Sequence, residues 1–312
     1  MRIVLAIGGN ALLRRGEIPD AKTQVIRLAE AAPALVRLAA EQQVVIVHGN
    51  GPQVGLLALE NGDDRSLSTP YPLWDMVAES QGLIGFWLQQ ALGNAGLDKD
   101  VVVLVSRTLV DPTDPRLSVP TKFVGSVYDE KRAHSLAKTC GWTVATDGSG
   151  WRRVVASPLP VRILESANAV RMLDAGATVV LGGGGGIAVV PEGPGFRGIE
   201  GIVDKDYVAA RVAVDVAADM LVILTDVRGI MTNFGTPSQK ILKTLKTEDI
   251  DSNDYPEGSI GPKVRAAADF VTSTGGRALI GSLDRLDAIM SGTDGTEVLG
   301  STTHSRNTIR SW

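Results

Sequence analysis

Six short runs of aliphatic and β-branched residues set the strongest limit on what this chain can fold into. They are Ile3–Ile7, Val44–Val47, Val101–Val105, Thr178–Leu181, Leu221–Leu224 and Ala278–Ile280. Each is nearly continuous in apolar residues, without the alternation of a half-solvated strand. That pattern belongs to strands covered on both faces, as in parallel sheets. Helix-length segments separate most of them. Val25, Leu28, Ala29, Ala32, Leu35, Val36 and Ala39 recur in steps of three and four, with Pro33 inside the stripe and expected to kink it. Leu83, Ile84, Trp87, Leu88 and Ala91 mark a second helix. Val208, Val212 and Val216, with Ala209 and Ala213, mark a third, and Pro262 opens a fourth that runs to Val271. Strands alternating with helices predict an α/β doubly wound sheet. The stretch from about 111 to 164 breaks this rhythm, with many prolines and no βα unit. Within it, Trp142–Thr146 and Trp151–Val155 flank the turn residues Asp147-Gly148-Ser149-Gly150, the pattern of a β-hairpin. It reads as an inserted subdomain standing off the main sheet.

Composition excludes several function classes. The net charge of −4 over 312 residues argues against a nucleic-acid footprint. Aromatic residues at 4% argue against a base-stacking surface. One cysteine and three histidines give no zinc-type cluster, and Cys140 alone forms no intrachain disulfide, which fits a reducing compartment. No apolar run approaches the ~20 residues of a membrane span, and the chain reads as a cytoplasmic protein.

The glycines gather behind the strands. Gly8-Gly9-Asn10 follows the first, Gly49-Asn50-Gly51 the second, and Gly182–Gly186 a later one, while Thr225-Asp226 follows Leu221–Leu224. Ligands of open α/β sheets bind beyond the carboxyl ends of the strands, where glycines let backbone amides approach an anion. No Walker-type G-x-x-x-x-G-K-[ST] is present. Gly183–Ala188 satisfies a loose dinucleotide fingerprint, with Asp204 about twenty residues on, but Ile187–Val190 reads as extended chain, not the helix that fingerprint requires. An NAD-type dehydrogenase is therefore the less favoured alternative. Lys205, between Asp204 and Asp206, and Lys263 both fall in first helical turns, where the macrodipole opposes a cation. A bound anion would resolve that conflict. His48 reads as a packed residue, and neither His134 nor His304 has motif context. Lysines, glycine amides and aspartates without a general base suit phosphoryl transfer to an acceptor that is already an anion.

These residues carry a resemblance. Ile7-Gly8-Gly9-Asn10-Ala11, His48-Gly49-Asn50-Gly51-Pro52-Gln53-Val54-Gly55, the stretch Ser80–Gln89, Pro120-Thr121-Lys122, Arg152–Val155, Gly182–Gly186, Asp204-Lys205-Asp206 and Pro262-Lys263-Val264 occur in that order. Together they resemble the carbamate kinases of the amino acid kinase superfamily. The resemblance implies a three-layer αβα sandwich with a mostly parallel central sheet and a protruding inserted subdomain. It implies one catalytic domain over 1–312, with an acceptor lobe to about 185, a protruding part at about 111–164 and a nucleotide lobe over about 186–312. It further implies a homodimer and reversible transfer between ATP and carbamate, run in cells toward ATP, with Mg²⁺ carried on the nucleotide. Other kinases of the superfamily are the nearest alternative. Most members have a lysine two residues before the first Gly-Gly pair; here Ala6 stands there, and the resemblance passes that role to Lys122. By the same resemblance Lys122, Lys205, Asp206 and Lys263 are catalytic. Gly8, Gly9, Asn10, Gly49, Asn50 and Gly51 supply acceptor-side amides. Gly182, Gly183, Gly184, Thr225, Asp226, Tyr255 and Lys263 serve the nucleotide. Few protein ligands to the metal are expected, and none is assigned. The chain departs from the family pattern at Phe123, at Gly261 and over Asp75–Glu79.

Overall fold

All six apolar runs become strands of one eight-stranded sheet. The computed structural model describes residues 1–13, 17, 18, 20–64, 66–233, 235, 236, 238–251, 255 and 260–300. From edge to edge the strands are Thr244–Lys246, Thr296–Leu299, Arg277–Ser282, Met220–Thr225, Arg2–Ile7, Gln43–His48, Thr178–Val180 and Val101–Val103. Every neighbouring pair is parallel except Arg277–Ser282 with Thr296–Leu299. Alternate residues feed two cores. Val4, Ala6, Val45, Val47, Leu221 and Ile223 pack under helices Lys205–Asp215 and Gly261–Thr274. Ile3, Leu5, Ile7, Val44, Ile46 and Leu224 pack under helices Ala21–Glu41 and Leu73–Asn94. Both faces are thus covered, which explains why the runs do not alternate. Each such buried side chain contributes roughly 1.5–3 kcal/mol.

Helix Ala21–Glu41 starts where Asp20 accepts a hydrogen bond from the Thr23 amide at 2.8 Å. It continues through Pro33 as a single element of 21 residues. Its buried positions are Gln24, Leu28, Ala32, Leu35 and Ala39, so the predicted stripe is shifted at its start. Val25 is 39% exposed, and Gln24 takes the inward place because the Gln53 amide donates to it.

Only part of the region from 111 to 164 carries a sheet of its own: Pro160–Ile163 instead pairs with Arg107–Val110, in a four-stranded sheet with Ile187–Glu192 and Gly195–Gly198, and Ile163 lies in the main core. Lys122–Tyr128, Gly150–Val155 and Thr143–Asp147 make an antiparallel three-stranded sheet, and Gly148-Ser149 is the expected hairpin turn. Helix Glu130–Cys140, capped by Asp129, was not foreseen. Its buried side is only Ala133 and Leu136, too little apolar periodicity to read from sequence. The unit meets the body at Gly55 and Gly125. A Cβ on Gly55 would lie 2.0 Å from the Gly125 Cα, so two backbones touch there.

Candidate active site

Because the central strands are parallel, their carboxyl ends share one edge, and the predicted loops collect there. The Gly8 amide donates to the Leu224 carbonyl at 3.1 Å, and the Gly49 amide to the Ile7 carbonyl at 2.9 Å. These two amides extend the sheet ladder, which corrects the expectation that they face an acceptor. Gly9 and Gly51 instead open helices Gly9–Leu12 and Gly51–Asp63, where first-turn amides have no intrahelical acceptor. Asn10 lies on the first of these helices; its side chain is outside the described residues. The Asn50 side chain is buried and donates to Ser80 Oγ at 2.8 Å, so it braces the loop.

The glycine run is buried and tightly wedged. Added Cβ atoms would fall 2.7 Å from Val208 Cγ1 at Gly182, 2.4 Å from His48 Nε2 at Gly183 and 2.1 Å from Asn50 Nδ2 at Gly184. The structure therefore brings Gly183 and Gly184 against the His48–Asn50 loop and Gly182 against Val208, while Thr225 and Asp226 stand at the end of strand Met220–Thr225, on the far side of strand Arg2–Ile7. After Gly186 the chain enters strand Ile187–Glu192, so the dinucleotide fingerprint lacks its helix. Tyr255 is half-buried and packs on the core beneath helix Gly261–Thr274.

Four charged residues from three distant segments converge with Asp204. Asp204 caps helix Lys205–Asp215, accepting from the Asp206 amide at 2.9 Å. Its second oxygen takes the ammonium of Lys122, which arrives on the first strand of the inserted unit. Lys205 Nζ lies 2.5 Å from Asp206 Oδ1 and Lys263 Nζ 3.2 Å from Asp206 Oδ2. The stem of Lys205 passes within 3.3 Å of where a Gly49 Cβ would stand, a close approach that a side chain there would narrow. Buried Asp206 thus supplies the anion that the two awkwardly placed lysines call for. In the protein alone, an internal carboxylate does what a bound anion was expected to do.

The charges respond to this packing. Burial pushes Asp204 upward, but Lys122 and Lys205 outweigh it and hold the carboxyl well below the carboxylate range. Burial lowers Lys205, with Asp206 opposing. Burial also works against Lys263, yet Asp206, Asp204 and Asp226 together raise it. His48 is buried, its Nδ1 lies 3.1 Å from the Gly49 carbonyl, and desolvation lowers its pKa to about 4. It is neutral near pH 7 and packed, as expected, with Nε2 turned to Gly183.

Sequence reasoning missed the frame behind the loops. Gln81 Nε2 donates to the Ser106 carbonyl at 3.0 Å and its Oε1 accepts from the Ser106 amide at 2.8 Å; Ser106 Oγ then accepts from the Gly182 amide at 2.9 Å. Thr108 Oγ1 donates to the Gly185 carbonyl at 2.8 Å. Ser80 and Gln81 sit on the inward side of helix Leu73–Asn94, and polar residues inside an apolar stripe were the available signal.

The chain belongs to the amino acid kinase family, whose model matches residues 1–282, and it is a phosphotransferase. It is 43% identical over 305 residues to the carbamate kinase of Rhizobium meliloti, covering 96% of this chain and 94% of that one. It is 43% identical over 294 residues to the carbamate kinase of Escherichia coli, covering 94% and 98%. The solved carbamate kinase of Giardia lamblia bound to AMP-PNP matches with a TM-score of 0.87 at 35% identity, covering 96% and 98%.

Proposed function

We propose that the protein catalyses ATP + carbamate ⇌ ADP + carbamoyl phosphate, used toward ATP. The observation that carries the reading is the meeting of Lys122, Lys205 and Lys263 around Asp204 and Asp206. It is supported by relatives of that name at 43% identity. An oxygen of the ADP β-phosphate attacks phosphorus, the bond from phosphorus to the carbamate oxygen breaks, and carbamate leaves as an anion. Both oxygens are anionic, so no base is required. The barrier is lowered by placing and neutralising the three oxygens of the moving group. Lys205 and Lys263 serve that group, with Asp206 holding both in place. Lys122 neutralises the acceptor side. Gly9, Asn10, Asn50 and Gly51 border the acceptor; Gly182–Gly184, Thr225, Asp226, Tyr255 and Lys263 border the nucleotide.

Among the described residues no group of three His, Cys, Asp or Glu side chains is placed to hold a metal, and both Asp206 oxygens are taken by lysines. Mg²⁺ enters this reading on the phosphates of the nucleotide substrate. Among the described residues no helix is long and apolar enough to cross a membrane, which is in keeping with a cytoplasmic enzyme. We also infer a homodimer. Ala6 is buried within the first strand, so no first-strand lysine reaches the site, which favours carbamate over the acceptors of other family kinases.

The test is ATP formation from ADP, Mg²⁺ and carbamoyl phosphate by the purified chain. Lys122→Ala should fold, bind ADP normally and lose on the order of 10²–10³ in kcat. Wild-type turnover in that variant would make Lys122 an ordinary surface lysine. A comparable kcat/KM with acetylglutamate, aspartate or UMP would overturn the carbamate assignment.

A further inference from the structure

We infer that Asp204 is a positioning residue that aims Lys122 at the acceptor side of the reaction; this rests on the function proposed above. Asp204 has an evident local duty, since one of its oxygens caps the Lys205 helix. Capping needs one oxygen. The other takes the ammonium of a lysine 82 residues away, in a separately folded sheet. The meeting is built into the backbone. Lys122 pairs with Val155 across the inserted sheet, and the Thr121 amide donates to the Val155 carbonyl at 3.1 Å. The next residue, Ala156, bridges to Gly201, and the Ile202 amide donates to the Ala156 carbonyl at 2.9 Å. Val203 is then fixed by Gly185, where an added Cβ would stand 1.9 Å from the Val203 carbonyl oxygen. A continuous ladder thus runs from Lys122 through Val155 and Ala156 to the residue before Asp204.

Two further observations separate this pair from a chance surface contact. The Asp204 side chain is 13% exposed and that of Lys122 31%, so the carboxylate is the fixed member and the lysine the guided one. The charges are also partitioned: Lys205 and Lys263 share Asp206, and Lys122 has Asp204, which leaves these five side chains with one net positive charge to offer an anion. An ammonium carries three donors. One spent on Asp204 fixes its direction and leaves two for an anionic oxygen. A flexible four-carbon stem is otherwise a poor device for placing charge, and misplacement near 1 Å costs about 10²-fold in rate.

Asp204→Asn separates the two duties, because Asn caps helices as well as Asp does but offers no charge to Lys122. We expect Asp204→Asn to keep the helix cap and the ADP affinity, to lower the melting temperature less than Asp204→Ala does, and to lose about 10–10² in kcat with carbamoyl phosphate. In a Lys122→Ala background the same change should cost clearly less in kcat, since the residue it mainly acts through is gone and only its field on Lys205 and Lys263 remains. Asp204→Ala, which also removes the cap, should lower the melting temperature as well. A readout without turnover is the acetylation rate of Lys122 by mass spectrometry, which should rise several-fold in Asp204→Asn relative to exposed Lys22. Equal losses in both backgrounds, or unchanged Lys122 labelling, would overturn the inference. Raised Lys122 labelling in Asp204→Asn, alongside a wild-type protein that makes no ATP, would leave the pairing intact and sink the proposed reaction instead.

Discussion

His48 shows how a residue without a chemical role still governs the site. Its ring is buried against Gly183 of the glycine run, and its pKa falls from 6.5 to about 4. The unfolded chain protonates this imidazole near 6.5, so between the two values the unfolded state binds more protons. The neutral ring's contribution is complete above pH 6.5 and drains as pH falls toward 4. Linkage puts it on the order of 3 kcal/mol. Denaturant unfolding from pH 7 to pH 4 should show this loss, and His48→Asn, which keeps a donor for the Gly49 carbonyl, should flatten it. An unchanged slope in the variant would mean that other groups carry the acid sensitivity. The sequence revealed the site unevenly at this scale. Lys205 and Lys263 stood out because a cation in a first helical turn is locally unfavourable. Asp204 showed only its capping role, because its partner lies in another sheet. The Gly8 and Gly49 amides looked free because a ladder hydrogen bond depends on which strand lies alongside, and the loop sequence does not encode that.

At the scale of elements, the sheet was legible because two-sided burial writes itself into continuous apolar runs. The helix Glu130–Cys140 was not, because it buries only Ala133 and Leu136. Nor was the junction at Gly55, whose meaning depends on Gly125 arriving from the inserted unit. That junction reverses an ordinary rule. Gly→Ala within a helix usually stabilises by up to ~1 kcal/mol. Gly93, on helix Leu73–Asn94 with nothing near its missing Cβ, should obey it. Gly55→Ala should not, because its methyl would strike the Gly125 backbone. Overpacking of this kind costs roughly 1–3 kcal/mol. The strand that brings Lys122 to the site begins three residues before Gly125, so turnover should fall together with melting temperature. Calorimetry on both variants gives opposite signs on this argument. Two stabilised proteins would show that the inserted unit does not press on helix Gly51–Asp63.

For the whole molecule, the dimer inferred above would make helix Leu73–Asn94 a link between assembly and chemistry. Its inner side carries Ser80 and Gln81, which hold Asn50 and, through Ser106, Gly182. Its outer side presents Leu83, 40% exposed, and Phe86, 53% exposed, three residues apart. Large apolar side chains placed together on an outer face suit burial against a second copy, where two-fold symmetry uses each residue twice. Cys140 is half-buried, and its sulfur lies 3.0 Å from where a Gly62 Cβ would stand, so it packs inside the chain. The dimer should therefore persist in reducing agent. Burying Phe86 on both sides contributes roughly 3–6 kcal/mol, so Phe86→Asp should weaken association by about 10²–10⁴. Light scattering at the working concentration should give a dimer for the wild type and a monomer for the variant. The consequence for catalysis follows from the shared helix. A monomer with a looser helix should show a raised KM for carbamoyl phosphate, because Asn50 and the glycine run lose their brace. Its ADP affinity should fall less, because the glycine run shares the brace but Thr225, Asp226 and Lys263 rest on other elements. A wild-type chain that is monomeric and fully active would remove the dimer from this account. A monomeric variant with an unchanged KM would show that the inner side of the helix keeps its shape without the outer one.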